Sequence, residues 1–456
     1  MIERRAFPMV ILGMALLAAT AARADILIRN VTLYDGTGAP ALKNASVLVK
    51  GERIAAVSAR PLSAAGARTI DGKGKFLIPG LMDTHIHLRG GQGGSVMQGT
   101  DRKPIVDREA GVTALHGYLY SGVTSVYDSG NNPAFIYPLR EEERAGTLTS
   151  PHIFAAGGTI SVPKGYGAGP TALKIESWEQ GQKALDEKFK EKPDMLKLIL
   201  DRQGMYANKA VPTLSDEMFK RIVEYAAEHG FRTTVHISAE WDAETAVRAG
   251  VSALAHPVLR AAANESFFKL LAERKVPVST TMTVFAAIAR VADDPSFFDE
   301  PLFKATVTAE ELEKQKTEER SRYMESGMSA MFKLMQPYAR ANIKKMHEAG
   351  VILALGTDRT LGPMTHMELE LLAQSGISPF DCIKIATLNG AIYLGRAADM
   401  GSIENGKIAD LVLLKADPAA DIRNFRAIDT VIKGGRTIDL AALDLPVNRP
   451  ENRKAR

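Results

Sequence analysis

The sequence predicts an α/β chain: a (β/α)8 barrel of the TIM type carrying a small β-sandwich domain built from both chain ends. Two observations predict it. Between residues 80 and 395, eight short apolar segments alternate with amphipathic helical stretches, the pattern of repeated βα units around a parallel sheet. Outside that span, short β-type runs separated by Asp-Gly and Lys-Gly turns occur at both ends, as in Ile26-Leu27-Ile28 and Val47-Leu48-Val49 early and Leu411-Val412-Leu413-Leu414 late.

The first 24 residues read as a secretory signal. Arg4 and Arg5 precede the apolar stretch 7–22, and Ala22-Arg23-Ala24 supplies a small-residue cleavage pattern before Asp25. The run is short for a membrane span, so the expectation is a periplasmic or secreted protein with no stable membrane association after cleavage. Residues 25–79 and 396–445 are then assigned to the composite β domain, 80–395 to the barrel and 446–456 to a polar tail. Barrel strands are expected at 80–87, 123–128, 152–156, 195–200, 232–236, 251–255, 276–281 and 351–356. The charge-rich stretch 293–346 is a helical excursion between the last two.

Composition narrows the function. The 456 residues carry 57 Lys+Arg against 53 Asp+Glu, a net charge of +4, too weak for an electrostatic nucleic-acid binder. Hydrophobic residues at 45% and charged residues at 24% are ordinary for a globular protein. The single cysteine, Cys382, allows neither an internal disulfide nor a Cys-based zinc cluster, so a transition-metal site has to use His, Asp, Glu or a modified Lys.

The first barrel strand supplies half of such a site. In Asp83-Thr84-His85-Ile86-His87 the two histidines are two residues apart, so one face of a strand presents both imidazoles. Burying that pair without a partner is costly, whereas imidazole is a frequent ligand of zinc. The other ligands should also end barrel strands: His236 ends 232–236, His256 follows 251–255 and Asp358 follows 351–356. Lys197 lies inside the apolar run Leu196-Lys197-Leu198-Ile199, where an ammonium is costly; as a CO2-derived carbamate it would be an anionic bridge between two metals. His116, His152, His229 and His347 fail the strand-end test and read as structural. The Gly-rich stretch 157–169 lacks the Gly-Lys-Ser/Thr ending of a phosphate loop and reads as a loop over the barrel mouth.

Pro79-Gly80-Leu81-Met82-Asp83-Thr84-His85-Ile86-His87 resembles the first-strand motif of the metal-dependent amidohydrolase superfamily. The texture of residues 122–128, 368–372, 386–391 and 401–411 is similar to its imidazolonepropionase-like and prolidase-like (Xaa-Pro dipeptidase-type) branch. The resemblance implies that His85 and His87 bind the more buried of two zinc ions, His236 and His256 the more exposed one, and carboxylated Lys197 both. Asp358 would bind the buried ion and shuttle protons. It implies hydrolysis of an amide bond in a small substrate, such as a dipeptide or N-acyl amino acid. Ser238, Tyr127 and Gly157-Gly158-Thr159 replace a His, an Arg and a Gly-Gly-His common in relatives, which weakens any transfer of dipeptide specificity. Tyr127, Tyr206 and His366 are the candidate substrate-binding residues. Alternatives are a mononuclear imidazolone-ring hydrolase or deaminase, an aryl-amide, carbamate or lactone hydrolase, and a non-catalytic periplasmic metal- or solute-binding protein. A homo-oligomer is compatible with the sequence.

Overall fold

A computed structural model describes residues 24–91, 95–98, 101–104, 106–204 and 210–450. The expected signal segment, apart from Ala24, lies outside the described residues.

Strands from both chain ends join one eight-stranded sheet. Its central seam pairs Phe76–Pro79 with Leu411–Leu414 in antiparallel register, Leu411 opposite Pro79. Alternate side chains make its own apolar core, including Ile26, Ile28, Val47, Val49, Leu411 and Leu413. Pro79 then leads straight into the barrel through Gly80. A Cβ there would sit 2.0 Å from Thr124 Oγ1, so only glycine lets the first barrel strand lie this close to the second.

The barrel strands are Leu81–Ile86, Val123–Asp128, His152–Ala155, Leu196–Ile199, Thr233–His236, Ala253–Leu254, Val278–Ser279 and Leu353–Ala354. All pair in parallel within two arcs. Hydrogen bonds close the arcs into a ring, among them Asp194 N to Ala155 O at 3.0 Å between the third and fourth strands and Thr84 N to Leu355 O at 2.9 Å between the first and last. In Asp216–Glu228, Ser215 caps the first turn by accepting from Met218 N, Asp216 and Glu217 complement the N-terminal dipole, and Phe219, Ile222, Val223 and Ala226 form the buried face. The excursion before the last strand is helical, ending in the long helix Met328–Glu348. The polar tail begins tied down: Pro446–Asn448 is a single turn, and Asn448 donates to Leu440 O and Leu443 O, both at 2.8 Å. No helix among the described residues is long and apolar enough to cross a membrane.

A charged cluster pins the β domain to the barrel. His152, at the start of the third barrel strand, lies 3.0 Å from Glu143 Oε1 and 3.2 Å from Asp410 Oδ2, while Lys433 reaches Glu143 from the β domain. Burial alone would lower the His152 pKa, but the Asp410 and Glu143 carboxylates outweigh it and raise it from 6.5 to about 9. Burial would likewise raise Glu143, but His152 and Lys433 pull it from 4.5 down to about 2. The His152 contribution is therefore full below its unfolded pKa of 6.5 and fades as pH rises through about 9. His152→Ala should melt below wild type near about pH 6, and the gap should narrow by about pH 10 in paired thermal melts. A gap that is the same at both pH values would remove the charge from the clamp.

Candidate active site

The barrel mouth gathers His85, His87, Lys197, His236, His256 and Asp358 around one cavity of about 770 Å³. In Leu196–Ile199 the period of two places Lys197 and Ile199 on the cavity side, while Leu196 and Leu198 join the main core. The imidazoles of His85 and His87 lie 5.4 Å apart, and that of His256 is 4.8 Å from His85.

Asp358 reaches this group through an unusual backbone. Its φ of +51° lies in the left-handed region, which costs a non-glycine residue about 1–2 kcal/mol. The turn is held on both sides. Asp358 N donates to His85 O at 2.7 Å, and Thr357 donates through N (3.0 Å) and Oγ1 (2.8 Å) to the buried Asp83 carboxylate. The result aims Asp358 Oδ1 at His87 Nε2, 3.1 Å away, and at His85 Nε2, 3.5 Å away.

Each histidine has one nitrogen tied to the scaffold. His85 Nδ1 is 3.0 Å from Ala255 O, His87 Nδ1 2.8 Å from Gly130 O, and His256 Nδ1 2.9 Å from Thr281 Oγ1. Their Nε2 atoms are left for the centre. His236 is turned the other way: its Nε2 is 3.2 Å from Asp201 Oδ2, leaving Nδ1 as its remaining donor atom. Asp201 is itself fixed by Ser238 Oγ at 2.9 Å and by the amides of Gln203 and Gly204. Tyr166 stacks on His236 with ring centroids 4.3 Å apart, so the Gly-rich loop does cover the mouth.

Lys197 Nζ stands between the two halves of the site, 3.3 Å from His85 Nε2 and 3.0 Å from Ser129 Oγ. Burial, only partly offset by Asp358, pulls its pKa from 10.5 down to about 7, so a reactive neutral amine is accessible near neutrality. For Asp358 the balance runs the other way. Burial would raise its pKa, but the hydrogen bond and charge of His87 hold the carboxyl well below its ordinary range.

This donor set fits a metal. Donor atoms of His85, His256 and Asp358 lie within 4.8 Å of one another. Burial holds His85 and His256 neutral, well below the usual imidazole pKa, which is the form that ligates.

The amidohydrolase family pattern matches residues 76–438. The chain belongs to the amidohydrolase family. It is a hydrolase acting on carbon–nitrogen (amide) bonds, and the proteins it resembles include imidazolonepropionases and prolidases. Ochratoxinase of Aspergillus niger is 24% identical over 89% of this chain and 84% of its own length. Imidazolonepropionase of Shouchella clausii is 24% identical over 87% and 86%. Among solved structures, a Xaa-Pro dipeptidase with methionine bound in its active site superposes with a TM-score of 0.69 at 24% identity, covering 91% of this chain and all of the other, a likeness of fold.

Two of the three expected substrate contacts, Tyr127 and His366, lie away from the cavity. Tyr127 is fully buried in the barrel interior, donating from its hydroxyl to Met195 O at 3.3 Å beside Tyr393, and does not line the cavity. His366 is buried with Nε2 2.9 Å from Ser121 O, again away from the cavity. Packing decides both cases: each side chain is buried and spends a polar atom on a backbone carbonyl away from the cavity. Tyr206 lies outside the described residues. The residues that sequence reasoning missed are Asp201, Ser129, Thr281 and Tyr166. Asp201 had a legible signal, because it follows the fourth barrel strand directly and meets the strand-end test that selected His236.

Proposed function

We propose that this chain is an exported amide hydrolase working with two divalent metal ions, zinc by preference, on a small substrate such as a dipeptide or an N-acyl amino acid. The observation that carries the reading is Lys197. Its amine sits among the histidines with a serine hydroxyl as its other neighbour, a position that a carbamate formed with CO2 would convert into an anion shared by two cations. His85, His87 and Asp358 would hold one ion and His236 and His256 the other. When bound, such ions supply a nucleophilic water at neutral pH and polarise the scissile carbonyl.

The protein's own groups do the rest. Asp358, kept ionised and aimed by the strained turn, accepts the proton of the attacking water at Oδ1 or Oδ2 and returns it to the leaving amine. Ala255 O, Gly130 O and Thr281 Oγ1 fix the ring orientations, so the histidines need little rearrangement. Asp201 does the same for His236. Tyr166 and the loop around it shield the centre from bulk water. Export is supported by the apolar run and the Ala22-Arg23-Ala24 pattern.

The experiment is turnover of a library of dipeptides and N-acyl amino acids by zinc-loaded protein, with an acid and an amine as products. Turnover that disappears on chelation and returns with zinc supports the proposal. Stoichiometric metal binding with no turnover of any amide or ester would favour a metal- or solute-binding protein instead.

A further inference from the structure

The metal-type centre accounts for one end of the cavity; the lining beyond it includes a guanidinium with no counter-charge among the described residues. Among the described residues lining the cavity, Asp358 is the sole acid, whereas Arg322 and Arg359 bring two guanidinium groups. Their commitments differ. Arg322 donates through Nε at 3.1 Å to Glu319 and lies over the Tyr323 ring at 4.7 Å, so its charge is already matched. The Arg359 guanidinium makes no hydrogen bond or ion pair to any described residue, although its backbone is firmly placed. Arg359 O accepts from His87 N at 3.3 Å and from the Tyr118 hydroxyl at 3.4 Å, and Arg359 N donates to Thr357 Oγ1 at 3.3 Å.

The polar neighbours on that wall are already occupied. Asn131 donates to Leu88 O and to Asp128 Oδ2, and Asn132 caps the helix Pro133–Arg144 by accepting from Ala134 N. Elsewhere the lining includes Val284 and Ile288 of the helix Met282–Asp293 and Met328 of the excursion, which offer apolar surface. A guanidinium on a fixed backbone, with no partner among the described residues, in a cavity that also offers apolar surface, suits a planar anion on an amphipathic ligand.

We propose that Arg359 binds a free carboxylate on the substrate's leaving side, making the enzyme selective for amides of amino acids with an intact acid group and an apolar side chain. This rests on the hydrolase reading above and goes further by naming the group that confers specificity. Arg359 lines the same cavity as Asp358, and the proposal assigns the carboxylate it holds to the leaving amine that Asp358 protonates. The apolar side chain then faces Val284, Ile288 and Met328.

The test compares N-acetyl-leucine with N-acetyl-leucinamide on wild-type, Arg359→Met and Arg359→Lys proteins, all zinc-loaded and checked for equal thermal stability. Wild type should prefer the acid by about 100-fold in kcat/KM. Arg359→Met should lose most of that preference, chiefly through KM, with its rate on the amide unchanged, and Arg359→Lys should recover part of it. Equal losses on acid and amide, or no loss on the acid, would overturn the proposal. Calorimetric binding of N-acetyl-leucine separates it from the parent reading. If wild type hydrolyses neither compound yet binds the acid at least about tenfold more tightly than Arg359→Met does, the hydrolase reading fails and the carboxylate site stands. Equal binding by the two proteins sinks the carboxylate site.

Discussion

Asp358→Asn should lower kcat/KM for amide hydrolysis by about 100- to 10,000-fold while the protein stays folded. The substitution keeps the side-chain volume and the backbone turn at φ +51°, which is fastened by bonds from Thr357 and from the Asp358 amide rather than by the carboxylate. Asparagine also tolerates the left-handed region well. It removes the one group at the centre that can accept a proton and hand it on, and it weakens a ligand. A pH–rate profile and a thermal melt should be read together. An unchanged melt with a collapsed rate is the expected pair, and near-wild-type turnover would take Asp358 out of the chemistry.

Lys197→Ala should lose activity by at least about 100-fold, and its metal content should fall below wild type, because the anion shared by the two halves of the site is gone. The truncation leaves a space lined by His85 and Ser129, which the lysine amine now touches at 3.3 and 3.0 Å. A short carboxylate such as acetate or propionate can enter that space and supply two oxygens. Partial rescue by these acids, and none by chloride at equal ionic strength, is the expected signature of a carbamate. Full rate and full metal content in Lys197→Ala without any added acid would make the lysine structural.

Most of the barrel was legible because its strands are short apolar runs whose ends carry the chemistry. The strand-end test placed His236, His256 and Asp358, and the i, i+2 spacing placed His85 and His87; all five line the cavity. The same test, applied to every strand, also reaches Asp128 and Asp201, which shape the site through Asn131 and His236. What was not legible depends on long-range packing. Tyr127 finds Met195, Thr281 finds His256, and His366 turns to Ser121 across 245 positions of sequence. The φ of Asp358 is equally invisible, since Gly356-Thr357-Asp358 does not announce a left-handed aspartate. Arg359 is not legible either, because an arginine after a strand is ordinarily a solvated charge, and only the cavity shows that the described residues leave it without a counter-charge.

The central claim, a two-metal centre bridged by a modified lysine, is tested most directly by anomalous X-ray scattering at the zinc edge from crystals of the zinc-loaded protein. The account predicts two peaks per chain, one beside His85, His87 and Asp358 and one beside His236 and His256, with density extending beyond Lys197 Nζ to both. A single peak with Lys197 ending at Nζ would contradict it.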